Sequence, residues 1–93
     1  MTTRVVYSRR AAAEVEEITA SLAEHSPPAA GRFFEALGRA EQQLSEFPNS
    51  GVPGLRPGTR RLVVGSYIVS YRRHGAEVEI FAVRNPCRRD ARP

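Results

Sequence analysis

Ninety-three residues and 10.3 kDa fit one domain, 1–93, with a modest core and no enclosed cofactor, since domains run from about 50 to 250 residues. The chain is 41% hydrophobic and 26% charged; its longest uncharged run, Leu62–Tyr71, falls short of the roughly 18 apolar residues of a membrane span, and MTTRVVYS holds no signal-peptide run, so a cytoplasmic protein is expected. All 14 basic residues are Arg; residues 1–50 carry five Arg and seven Glu for −2, and 51–93 carry nine Arg against three acids for +6, which points to nucleic acid or an acidic protein as partner.

Arg4–Tyr7, with two Val and a Tyr, reads as a strand, and Ser8 as the N-cap of a helix over roughly Arg9–Glu24. Ala11, Val15, Ile18 and Leu22 keep the three-and-four spacing of one buried face. Ser26 caps a second helix and Pro27 fits its first position, where a missing N–H is no loss. Behind them Ala30, Phe33, Leu37, Ala40, Leu44 and Phe47 form a seam that needs an apolar partner along its whole length, until Pro48 ends the helix. The link is so short that the two helices form an antiparallel hairpin. An outward Glu35–Arg39 pair is expected at i,i+4.

Pro48–Thr59, with three Pro and three Gly in twelve residues, reads as a loop without regular structure. Its Val52 and Leu55 are expected to plug the edge of the core. Arg60–Val64, Tyr67–Arg73 and Glu77–Arg84 then take strand character, joined by Gly65-Ser66 and by His74-Gly75-Ala76 into an antiparallel meander. The order β-α-α-β-β-β specifies an α+β, two-layer domain, a helical hairpin packed on an antiparallel sheet, with an Arg-rich tail over 85–93.

This order carries YSRRAAAEVEEI at the first strand–helix join, SPPAAGRFF opening the second helix and LSEFPNSG at its end. It continues with LRPGTRRLVVGSYIVSYRR across the first sheet hairpin and EVEIFAVR, followed by Arg88-Arg89, at the last strand. Together these phrases resemble the RelE/ParE superfamily of toxins from bacterial type II toxin–antitoxin systems, and within it the ParE-like branch. The resemblance implies a toxin that inhibits DNA gyrase by binding and so arrests growth. It also implies a cognate antitoxin, part extended and part helical, that wraps and neutralises it. DNA would be met only through gyrase or the antitoxin, and no membrane is involved.

RelE-like members are instead ribosome-dependent mRNA endonucleases with clustered basic side chains on the sheet. Ile68 stands where the RelE-type strand carries Arg, Arg61 and Thr59 stand at two Lys positions, and neither Tyr nor His follows Arg88-Arg89. An endonuclease carried by Arg61, Arg72, Arg73 and His74 is therefore the alternative reading. A further alternative is a non-toxic member that binds antitoxin and acts only in operon autoregulation.

Cleaving RNA through its 2′-hydroxyl needs a base, an acid and stabilisation of phosphate charge within mutual reach. His25 falls at the end of the first helix, where an imidazolium complements the dipole, and His74 falls in a hairpin turn beside Arg72 and Arg73. Tyr67 and Tyr71 share a packing face, and Glu77 and Glu79 a solvated one. The lone Cys87 excludes an internal disulfide and a cysteine-built zinc site, and neither metal nor cofactor is expected. On the ParE-like reading no residue is catalytic. The expected target contact is Arg60, Arg61, Arg84, Arg88 and Arg89, with Arg60/Arg61 and Arg72/Arg73 converging at one edge of the sheet. The expected antitoxin groove lies between hairpin and sheet, lined by Phe34 and Phe81.

Overall fold

A computed structural model describes residues 2–86. Strand β1 (Arg4–Tyr7) leads into α1 (Arg9–His25) and α2 (Pro27–Glu46). There follow β2 (Val52–Pro53), β3 (Thr59–Val64), β4 (Tyr67–His74) and β5 (Glu77–Arg84). The five strands form one sheet in the order β1-β5-β4-β3-β2. The expected antiparallel meander is present, but β1 runs parallel to β5, with Val5 opposite Val78 and Tyr7 opposite Ile80. The sheet is therefore mixed rather than wholly antiparallel. The helical hairpin carries the chain from one sheet edge to the other, and the meander folds back until β5 lies beside β1.

Both helices start on serine. The Ser8 hydroxyl accepts the Ala11 N–H at 3.1 Å, and that of Ser26 accepts the Ala29 N–H at 3.3 Å. Ser26 is at once the C-cap of α1 and the N-cap of α2, which forces the two helices back to back. The carbonyls at the end of α2 have no helical partner of their own; Thr3 supplies one, its hydroxyl donating to Leu44 O at 2.9 Å and its N–H to Ser45 O at 2.8 Å. Tyr7 on β1 donates to the Glu41 carboxylate on α2. Burial, reinforced by that carboxylate, pushes the Tyr7 phenol far above its ordinary value.

The helix seam of Phe33, Leu37, Ala40 and Leu44 packs with Ala11 and Ile18 against Val69, Tyr71, Val78 and Ile80. Phe33 meets Tyr67 at 4.8 Å between ring centroids in a tilted pair. Phe47 departs from the expected seam and is exposed, because as the C-cap of α2 it has already left helical backbone angles. Val52 and Leu55 do not plug the core either; both are exposed. Nor do Glu35 and Arg39 pair, whereas Arg10 and Glu14 meet at 3.5 Å.

What pins the 48–58 loop is the backbone of Gly51. Its N–H donates to the buried Tyr71 hydroxyl at 2.9 Å, and its carbonyl accepts from Arg60 Nη1 at 2.7 Å. The loop also contains a fragment of sheet, Val52 and Pro53 pairing with Arg61 and Arg60. Proline is tolerated there because β2 is an edge strand. His74 is the last residue of β4 rather than part of the turn, which is a two-residue loop, Gly75-Ala76, with Gly75 at φ +59.

Candidate functional site

One face of the sheet carries the helices, and among the described residues no element covers the other, the open face. Along β3 and β4, Leu62 opposite Val69 and Val64 opposite Tyr67 point to the helices. Arg61 opposite Ser70, and Thr59 opposite Arg72, point away from them. On β5 the alternation breaks: Ser70 faces Ala82 and Tyr71 faces Ile80, so Phe81 is an extra residue, a β-bulge. Before the bulge Val78 and Ile80 are core; after it Val83 is core, and Arg84 is turned to the open face.

The open face holds a cleft of about 530 Å³ into which five arginines converge. Arg10 comes from the first turn of α1, Arg56 from the 48–58 loop, Arg61 from β3, Arg72 from β4 and Arg84 from β5. Three of them are braced. The Arg72 Nε donates to Glu79 at 2.9 Å, and its guanidinium lies over the Phe81 ring, 5.1 Å from the centroid. Glu14 does three things from α1: Oε1 accepts the Val83 N–H at 2.9 Å, and Oε2 lies 3.5 Å from Arg10 and 3.9 Å from Arg84. Because β1 ends opposite Ile80, the later part of β5 is paired with β4 alone, and Glu14 satisfies the edge that β1 leaves exposed. Arg56 and Arg61 have no ion-pair partner among the described residues.

The expected site residues separate. Arg61 and Arg84 line the cleft; Arg60 points to the other face and is spent on Gly51. Of the endonuclease set, Arg61 and Arg72 share the cleft, while the Arg73 Nε donates to the Gly75 carbonyl at 2.8 Å and His74 stands at the strand end outside the cleft lining. The expected convergence holds in part: strand parity puts Arg61 with Arg72 on the open face and turns Arg60 to the other, while Arg60, Arg72 and Arg73 meet around a smaller cavity of about 310 Å³ at that edge of the sheet. Arg88 and Arg89 lie outside the described residues. Phe34 and Phe81 do not line one groove: Phe34 is exposed on α2, and Phe81 lies in the cleft on the far side of the sheet.

A groove does run between hairpin and sheet. It lies along α2 and the β3–β4 turn, about 490 Å³, with Arg32, Ala36 and Arg39 facing Val64 and Tyr67. Sequence reasoning missed Arg10, Arg56 and Glu14. The Arg10–Glu14 spacing was visible, but its reach to β5 depends on where β1 ends.

The cleft offers cationic N–H donors and a few hydroxyls, and its neighbouring carboxylates, Glu14 and Glu79, are engaged. Such a lining is chemically suited to an anionic group. Among the described residues no three His, Cys, Asp or Glu side chains gather as around a metal, and no helix is long and apolar enough to cross a membrane.

Comparison with known proteins matches this architecture. The family described as "ParE toxin of type II toxin-antitoxin system, parDE" matches residues 5–88. A Sinorhizobium fredii protein named "Putative toxin Y4kP" is 38% identical over 82 residues, covering 86% of this chain and 84% of its own. Among solved structures, a chain of the chromosomal ParDE TA system from P. aeruginosa superposes with a TM-score of 0.79 at 21% identity, over 90% of this chain and 96% of that one. A chain of the toxin–antitoxin complex RelBE2 from Mycobacterium tuberculosis does so at 0.68 and 20% identity, over 95% of each chain. The structural likenesses establish the two-layer fold, and the match over residues 5–88 establishes the lineage: the chain belongs to the ParE family of toxins of type II toxin–antitoxin systems.

Proposed function

We propose that this toxin acts in the cytoplasm by binding, inhibiting DNA gyrase and arresting growth until a cognate antitoxin neutralises it. One observation carries the choice of binding over catalysis. The cleft gathers five guanidiniums, of which Arg56 and Arg61 are uncommitted, while His74 and Arg73, half of the endonuclease set, stand outside it. A planar guanidinium is a recognition group for carboxylate and phosphate and stays protonated, so it serves poorly as a general base. Arg61 and Arg84 are the contact residues within the cleft, and Arg88 and Arg89 extend the contact from the tail. The antitoxin occupies the groove between α2 and the sheet. Arg32 and Arg39 there suit an acidic partner, and both solved neighbours come from toxin–antitoxin systems.

The test is a gyrase supercoiling and cleavage assay with purified protein, run beside a translating extract. Protein-linked cleaved DNA that accumulates with the wild type, and not with Arg61→Ala/Arg84→Ala or Arg88→Ala/Arg89→Ala, is the expected result. An inert gyrase reaction together with cut mRNA, abolished by Arg61→Ala or His74→Ala, would replace this reading with the endonuclease.

A further inference from the structure

The cleft is not lined by charge alone. Leu55, on its rim, is 85% exposed, and its loop is held at Gly51 by both backbone hydrogen bonds. Val52 pairs with Arg61 and shares its face, and Val63, two residues along β3, is 73% exposed on that same face. The Phe81 ring and Ala82 complete an apolar floor under the Arg72 guanidinium. Large aliphatic side chains set in water beside uncommitted arginines are features of a protein contact surface.

Charge supplies the complement. Five arginines against Glu14 and Glu79 leave three positive charges in excess. Arg56 and Arg61 can receive an incoming anion without giving up a partner, whereas Arg10, Arg72 and Arg84 would have to share Glu14 or Glu79. A nucleic-acid backbone would use the cations and gain little from Leu55, Val52 and Val63. An acidic segment with interspersed aliphatic or aromatic side chains uses both.

We infer that the open-face cleft receives an acidic, apolar-anchored peptide segment of a protein partner. Its carboxylates meet Arg56 and Arg61, and its apolar side chain packs on Leu55 and Phe81. The inference rests on reading this cleft as the toxin's contact surface and adds the chemistry of what that surface contacts.

Three labelled probes test it by fluorescence anisotropy: a short peptide of Glu interspersed with Leu, the same peptide with every Leu replaced by Ser, and a single-stranded oligonucleotide of equal charge. The Glu/Leu peptide is expected to bind tightest, about tenfold above either other probe, with Arg61→Ala and Leu55→Ser each costing about tenfold. Both substituted side chains are exposed, so thermal melts of the two variants should match the wild type. The inference is overturned if the oligonucleotide binds as tightly as the Glu/Leu peptide, if Ser for Leu makes no difference, if neither variant weakens binding, or if no probe binds.

The gyrase assay separates this from the target reading. A protein that binds the Glu/Leu peptide through Arg61 and Leu55 yet leaves gyrase untouched refutes the target alone. One that inhibits gyrase yet prefers the oligonucleotide refutes the peptide chemistry alone.

Discussion

Gly51→Ala is the sharpest test of how the cleft is held open. A Cβ at this position would stand 2.6 Å from the Arg61 carbonyl oxygen and 2.7 Å from the Tyr71 hydroxyl. Neither can retreat: the first is backbone inside β3, and the second belongs to the largest fully buried side chain. Overpacking of this kind costs about 1–3 kcal/mol. Displacing the Gly51 N–H from Tyr71 leaves a buried donor and hydroxyl short of a partner, for about 1–3 kcal/mol more. The sum, roughly 2–6 kcal/mol, is a large share of a stability of about 5–15 kcal/mol and, at about 4–8 °C per kcal/mol, would lower Tm by roughly 8–48 °C.

Urea denaturation followed by circular dichroism measures it, with Gly31→Ala as control. No atom lies within 4 Å of a Cβ there, and helix propensity favours alanine by about 1 kcal/mol. Tyr71→Phe removes the hydroxyl but not the Arg61 carbonyl, so Gly51→Ala should cost less in that background without becoming neutral. Since Leu55 and Arg56 ride on the same loop, Gly51→Ala should weaken partner binding as well as folding. A Gly51→Ala protein within about 0.5 kcal/mol of wild type would refute the claim that this glycine is the loop's anchor.

Arg60→Ala should lose the bond to the Gly51 carbonyl, costing about 1–2 kcal/mol in urea, while Arg61→Ala leaves stability within about 0.5 kcal/mol; equal effects would contradict the division by face. Tyr7→Phe should cost about 1–2 kcal/mol near neutral pH, since a hydrogen bond to a carboxylate is lost. The Tyr7 phenol is raised above 10.0 in the folded protein, so its stabilisation is complete below that pH and declines above it. Melting curves of wild type and Tyr7→Phe should therefore converge as pH climbs past 10.0, and a constant gap would refute the linkage. Glu14→Gln keeps an acceptor for the Val83 N–H but drops the charge between Arg10 and Arg84. It should bind a generic polyanion such as heparin more tightly, with a steeper salt dependence, and fold nearly as well.

The elements themselves were legible because each carries its own punctuation. Ser8, Ser26-Pro27 and Pro48 mark the helix ends, and Gly65 and Gly75, both at positive φ, mark the hairpins. Less legible was anything set by long-range pairing. The parallel union of β1 with β5 has no local signature, and neither does the bond from Gly51 to Tyr71, twenty residues on, that replaces the expected apolar plug of Val52 and Leu55. Strand alternation alone would have divided Arg60 from Arg61, since adjacent residues in a strand face opposite ways. Treating the two as one basic pair hid that one clamps the loop and the other lines the cleft.

Arg84 shows why the cleft resists reading from local pattern. From Val78 and Ile80, strict alternation carries the core face on to Ala82 and Arg84, which would bury a guanidinium beneath the helices. Moving the parity by one residue buries Val83 and frees Arg84, and IFAV is apolar enough to accept either assignment. Tertiary structure decides through the cost of burying charge, which exceeds what a single bulge forfeits in ladder hydrogen bonds. The extra residue at Phe81 then does a second thing: it sets an aromatic ring beneath Arg72, in the floor where Arg61 and Arg84 converge. The β5 bulge and the early end of β1 thus produce the cleft together, one turning Arg84 outward and the other leaving the sheet edge that draws Glu14, and with it Arg10, to the site.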